Sequence, residues 1–186
     1  MAKKKKNLSK LGLGIALVVL GAILISGRSQ IASNIASSSF ADEPVEIAGF
    51  ENFAADDAKL PKRIIIPELS IDLSVKKAKV IGGYWEVFPD SAGWGEGSGL
   101  PDEAGNQVIF AHARKGLFLP LRKIEKGFSI YVLTSEGWYD YEVIEIKEVY
   151  PNEIEVIEPT DDERLTLYTC SGFTDSKRLI VIGERR

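Results

Sequence analysis

The chain of 186 residues, 45% hydrophobic and 27% charged, has room for one ordinary core once an atypical first quarter is set aside. The only charges before Asp42 are Lys3, Lys4, Lys5, Lys6, Lys10 and Arg28, so the remainder is acidic, with 17 basic against 27 acidic residues, and does not suit a polyanion such as nucleic acid. Cys170 is the single cysteine and His112 the single histidine, which excludes an internal disulfide and a thiolate metal site and leaves Cys170 as either a reactive thiol or a small buried core residue.

The first element is the uncharged stretch LGLGIALVVLGAILI from Leu11 to Ile25. With its flanks it reaches about 17 residues, the short end of what crosses a bilayer. Four consecutive lysines precede it and stay cytoplasmic by the positive-inside rule, which sends everything after Arg28 to the outer face. Ser39-Phe40-Ala41 has the small-x-small form of a signal-peptidase site, but it lies far beyond Ile25, so an anchor is favoured over a cleaved signal. The expected organisation is a basic tail and membrane anchor over 1–28, a flexible stalk of Ser, Ala, Asn, Asp and Glu over 29–59, and one folded domain over 60–186. Phe40, Phe50 and Phe53 within the stalk fit neither a strand nor a helix face.

Beyond Pro61 the pattern becomes short runs rich in Val, Ile, Tyr and Thr, broken by Gly, Pro, Asn and Asp. It predicts strands at Arg63 to Ile66, Ile71 to Val75, Tyr84 to Val87, Gln107 to Ala111, Ser129 to Thr134, Trp138 to Glu148, Glu153 to Ile157, Arg164 to Thr169 and Arg178 to Glu184. Phe88 to Gly105 reads as turn chemistry alone, and Leu117 to Ile124 as one short helical turn. So many short strands with so little helix predict an all-β domain, a closed barrel or a sandwich.

Three polar residues hold equivalent places in this pattern. His112 follows a strand, Cys170 ends the strand RLTLYT, and Arg178 opens the strand RLIVIGE. The short step from Cys170 to Arg178 suits a loop between neighbouring strands. Alternation puts Thr166, Tyr168 and Cys170 on one face and Leu165, Leu167 and Thr169 on the other, so the leucines fill the core and the thiol faces a groove on the outer wall; Phe110 accompanies His112. A thiol near pKa ~8.5 becomes a useful nucleophile when a neighbouring imidazolium or guanidinium favours the thiolate. Attack on a peptide carbonyl would give a thioester, with His112 protonating the leaving amine and Arg178 donating to the oxyanion or the substrate backbone. Taken one at a time, each residue also has a structural explanation: a buried thiol, a loop-capping histidine, an arginine paired with Asp175 or Glu184.

The motifs narrow the choice. T-L-Y-T-C at Thr166 to Cys170, followed by R-L-I-V-I-G-E from Arg178, resembles the Thr-Leu-x-Thr-Cys signature and final strand of the sortase family. N-Q-V-I-F-A-H at Asn106 to His112 is similar to the strand that ends in that family's histidine, and K-R-I-I-I-P-E-L-S-I-D-L-S-V to its opening strands. The stretch A-G-W-G-E-G-S-G-L-P-D-E-A-G-N resembles the loop leading to the histidine, so the resemblance covers Leu60 to Arg186 in the order His, Cys, Arg. It implies a closed eight-stranded β-barrel with one or two short helices; no cofactor or metal is expected. It also implies a cysteine transpeptidase that cleaves a sorting signal of the Leu-Pro-x-Thr-Gly type near the carboxyl end of secreted proteins. The acyl group then passes to an amine, either of a cell-wall precursor or of a pilin lysine. Carried over residue by residue, Cys170 is the nucleophile, His112 the general acid and base and Arg178 the oxyanion or substrate stabiliser, with Phe110, Thr166, Tyr168 and Thr169 near the substrate.

The chain departs from the family's pattern in places. Ala111 stands where many members have Gly, and Ser171-Gly172 follows the cysteine where some have Thr-Pro. Glu158, Asp161, Asp162 and Glu163 lie where some members bind calcium, but read better as a solvated loop. The absence of a second apolar segment after Arg186 speaks against a pilin-polymerising member. Papain-like, caspase-type and L,D-transpeptidase patterns all fail on order or local signature. A non-catalytic tethered barrel, such as an adhesin, and a hydrolase on the same scaffold are the competing readings.

Overall fold

A computed structural model describes residues 56–186; the predicted anchor and all but the end of the predicted stalk lie outside the described residues. The described residues form ten strands: β1 (Arg63–Ile66), β2 (Ile71–Ala78), β3 (Val80–Ile81), β4 (Tyr84–Trp85), β5 (Ala92–Gly95), β6 (Gly105–Phe110), β7 (Ser129–Leu133), β8 (Trp138–Val149), β9 (Glu163–Ser171) and β10 (Lys177–Arg185). Eight of them close a barrel in the order β1-β2-β5-β6-β9-β10-β8-β7, and β3 and β4 form a separate hairpin. Closure pairs every barrel strand on both sides, which removes the exposed edges an open sheet would present. The ladder between β10 and β8 shifts register between Ile182 and Gly183, which inserts one extra residue, Ile144, and bends β8 for closure.

Alternation in β9 and β10 separates two apolar clusters. Leu165, Leu167, Leu179 and Val181 point into the barrel with Ile64, Ile109, Phe118 and Tyr141. Tyr168, Ile180 and Ile182 point outward and pack with Val108, Phe110, Trp85, Val149 and Ile157 in a second cluster on the outer wall. The face assignment read from RLTLYTC therefore holds, and the outer face is itself covered rather than bare. At the barrel end away from Cys170, Tyr141 donates to Glu163 Oε1 at 2.7 Å. Burial and that carboxylate push the phenol well above its ordinary pKa, so it stays a neutral donor.

Three sequence expectations need correction. The run Glu153 to Ile157 alternates like a strand but folds as the 3₁₀ turn Ile154–Ile157, laid across the outer wall with Ile157 buried in it. The stretch Phe88 to Gly105 holds a full barrel strand, β5, antiparallel to β6 and parallel to β2. Tyr84 to Val87 contributes only Tyr84–Trp85, paired with Val80–Ile81 outside the barrel. The short helix expected near Leu117 is present as the 3₁₀ turn Leu119–Lys123.

β5 escaped the strand pattern because its outward positions are glycines. A Cβ on Gly95 would lie 2.4 Å from the Trp85 ring, and one on Gly93 would lie 2.9 Å from the Phe110 ring. The bare backbone lets both aromatics lie against the wall, where they stack with centroids 5.6 Å apart. A stacked pair contributes about 0.5–1.5 kcal/mol beyond its buried area. Trp85 also donates to Glu96 O at 3.0 Å, which fastens the hairpin to the end of β5.

Candidate active site

The barrel sets β6, β9 and β10 side by side, and each brings one of the three candidate residues to the same rim. β9 and β10 are antiparallel with Cys170 directly opposite Arg178. Directly opposed residues leave the sheet on one face with Cβ atoms roughly 4.5–5.5 Å apart. β6 runs parallel to β9 with Phe110 abreast of Tyr168. The strands stay joined past the end of β6: Ala111 N donates to Tyr168 O at 3.3 Å, and the Thr169 hydroxyl donates to Ala111 O at 2.7 Å. That register, carried two residues on, brings His112 abreast of Cys170. Backbone then holds the histidine in place, because its carbonyl accepts from Arg114 N at 2.9 Å and Phe118 N at 3.1 Å, and Phe118 is sunk in the core.

Cys170 and His112 are both half-buried, whereas Arg178 is only 3% exposed. Its Nη1 donates to Asp175 O at 2.9 Å and Lys177 O at 3.1 Å, so the guanidinium braces the loop that joins its own strand to the cysteine's. That loop is tight: Gly172, Thr174 and Asp175 have φ of 79°, 53° and 57°. A positive φ is easy for glycine and costly for a β-branched threonine. The ion pair from Arg122 to Asp175 at 3.7 Å is exposed and contributes at most about 1 kcal/mol.

The remaining sequence candidates divide. Phe110 and Tyr168 lie on the outer wall in the layer next to His112 and Cys170, both nearly buried. Thr166 shares that face but is 0% exposed, and its hydroxyl donates to Asn106 Oδ1 at 2.7 Å. Thr169 is buried on the interior side and spends its hydroxyl on Ala111 O, so the structure does not bring it to the groove. Ser171, in the place of the family's post-cysteine residue, is buried too. The acidic loop is distributed among separate partners: Glu163 Oε1 accepts from Tyr141 and from Asp102 N at 3.0 Å, and the Glu158 carbonyl accepts from Asn106 at 3.0 Å. Among the described residues no cluster of His, Cys, Asp or Glu is placed to hold a metal ion.

Sequence reasoning missed Asn106 and Trp85 as individuals. Asn106 passes as one polar residue in a strand motif, although an amide on a strand's buried outward face is a sign that something must be bonded there. Trp85 was signalled only by the alternate glycines of β5.

A half-buried thiol with an arginine opposite and a histidine alongside is an arrangement for covalent acyl transfer. A cation beside a thiol favours the thiolate nucleophile, and the strand that leads into His112 lies next to the strand that carries Cys170. The comparisons agree with this chemistry. The family model described as the Sortase domain matches residues 64–186. Sortase A of Bacillus anthracis is 32% identical over 149 residues, covering 77% of this chain and 67% of that protein. The pilus-related sortase C of Group B Streptococcus superposes with a TM-score of 0.61 at 27% identity, covering 80% of this chain and 77% of that one. The Clostridium perfringens sortase C structure with the C-terminal cell wall sorting motif gives a TM-score of 0.60 at 28% identity, covering 73% and 78%. The chain belongs to the sortase family and is a cysteine transpeptidase.

Proposed function

We propose that this transpeptidase cleaves a Leu-Pro-x-Thr-Gly-like sorting signal of secreted proteins and transfers the acyl product to an amine, anchoring those proteins at the cell surface. The observation that carries the reading is the direct pairing of Cys170 with Arg178 on adjacent strands, with β6, the strand that leads into His112, paired to β9 on the other side. The Cys170 thiolate attacks the carbonyl after the signal's threonine, and Arg178 donates to the oxyanion. His112 protonates the departing amine, leaving a thioester, and then takes a proton from the incoming amine as it attacks. A solved relative carrying the cell wall sorting motif supports a peptide of this kind as substrate. Tyr168, at the edge of the outer-wall layer beside the rim, is the residue placed to meet the signal's apolar part, and Phe110, 3% exposed and stacked on Trp85, supports that layer from beneath. The lysine run ahead of an uncharged apolar stretch supports a single-pass membrane protein with its catalytic domain outside.

The test is partition between water and amine. A sorting-signal peptide incubated with the protein and oligoglycine is expected to yield ligated product at the expense of hydrolysis, read by chromatography and mass. Hydrolysis alone across cell-wall-type amines and lysine side chains would favour the hydrolase reading, and an intact peptide under all conditions would favour the non-catalytic barrel.

A further inference from the structure

We infer that Asn106 is a positioning residue that sets the wall of the peptide groove; this rests on the reading that the peptide lies on the outer face of β6, β9 and β10. Asn106 is 2% exposed and its carboxamide is fully engaged. Both N–H groups donate into the turn that follows β8, to Val156 O at 3.1 Å and Glu158 O at 3.0 Å. Its Oδ1 accepts the Thr166 hydroxyl at 2.7 Å. One side chain thus joins β6, β9 and the 3₁₀ turn Ile154–Ile157, far from the catalytic rim along the same two strands that carry His112 and Cys170.

The turn has no strand partner to bond its backbone, so an amide takes the place of a ladder. Between its two bonded carbonyls, Ile157 drops into the outer-wall cluster with Tyr168 and Ile180. Those two residues form the layer next to Cys170 and Arg178, which they pair alongside in the same ladder. The height and tilt of the turn therefore decide how much of Tyr168 a peptide meets. Without the amide, two carbonyls and the Thr166 hydroxyl lose their partners in a site shielded from water, and the turn must move to find others. The catalytic residues are held independently by the backbone ladders β6·β9 and β9·β10 and by the Arg178 contacts to its own loop. Peptide binding should suffer while the chemistry does not. Thr166 acts in the same unit by fixing the orientation of the amide, which accounts for a threonine hydroxyl that never reaches the groove.

The experiment uses the full chain and a fluorogenic sorting-signal peptide in single-turnover acylation. Asn106→Leu keeps the branched shape, with somewhat bulkier methyl ends, and removes all three bonds. It is expected to raise the half-saturating peptide concentration at least tenfold, leaving the maximal acylation rate and the rate of Cys170 labelling by a small neutral thiol reagent within about twofold. Hydrogen exchange should show lost protection confined to the residues around the turn. An unchanged half-saturating concentration, or a parallel fall in maximal acylation and thiol labelling, overturns the assignment. If Asn106→Leu does not fold, Thr166→Val decides: a threefold or larger rise in half-saturation supports the positioning unit, and no rise overturns it. A wild-type chain that cleaves no sorting peptide overturns the functional reading itself, and this assignment with it.

Discussion

Replacing Cys170 with alanine is expected to abolish peptide cleavage, with a fall of at least about 10⁴-fold in turnover, because removing a covalent nucleophile leaves only binding and oxyanion stabilisation. The fold should survive. Cys170 is half-buried at the end of β9, its strand is bonded on both sides by β6 and β10, and the substitution removes one sulfur atom. Circular dichroism and thermal midpoint close to wild type, together with loss of cleavage, would locate the effect in the chemistry. Since Cys170 is the chain's single cysteine, no other thiol can substitute for it. Residual cleavage near the wild-type rate would remove the thiol from the mechanism and return the non-catalytic reading or a different nucleophile to contention.

Exchanging Arg178 for lysine is expected to lower the maximal acylation rate by about 10²–10³-fold, the range seen when one preorganised oxyanion donor is lost. The charge survives this change but the planar fork does not. Lysine cannot hold the Asp175 and Lys177 carbonyls and point at the oxyanion with the same geometry. Because a cation remains opposite Cys170, the thiolate should still be favoured, and labelling by a neutral thiol reagent should fall far less than acylation does. That difference separates oxyanion stabilisation from thiol activation. Equal losses in both would make Arg178 chiefly an activator of the thiol, and unchanged acylation would remove it from the site.

Much of this arrangement is readable in the sequence where one rule governs. In β9, period-two alternation of Leu165 and Leu167 with Thr166, Tyr168 and Cys170 is enforced by a filled barrel on one side, so the strand and the facing of Cys170 follow from pattern alone, while the continuous apolar run Leu179 to Ile182 marks β10 as a strand covered on both faces. The proximity of Arg178 follows from a loop too short to reach anything but the adjacent strand. His112 is different: its place beside Cys170 depends on β6 pairing with β9 across more than fifty intervening residues, a long-range fact that local pattern does not contain.

The failures share a cause as well. β5 and the turn at Ile154–Ile157 depart from their sequence patterns because tertiary contacts replace the usual local signals. In β5, glycines stand where β-branched residues are expected, since the Phe110 and Trp85 rings occupy the space their side chains would need. In the turn, alternating Ile, Glu and Val mimic a strand, but the backbone carbonyls are taken by the Asn106 side chain. Thr166 and Thr169 sit in the signature motif without lining the groove, because a hydroxyl on a buried strand is first of all a group that must be bonded.

In the proposed mechanism acyl transfer passes through a thioester on Cys170. The most direct measurement is intact and peptide-level mass spectrometry of the protein quenched in acid during turnover of a sorting-signal peptide, without added amine. The predicted result is a mass increase equal to the acyl group of the peptide fragment ending at the threonine, that is the free-acid fragment less one water, mapped to Cys170 and discharged by hydroxylamine or oligoglycine. Rapid cleavage with no adduct on Cys170, or with the adduct on another residue, would contradict it.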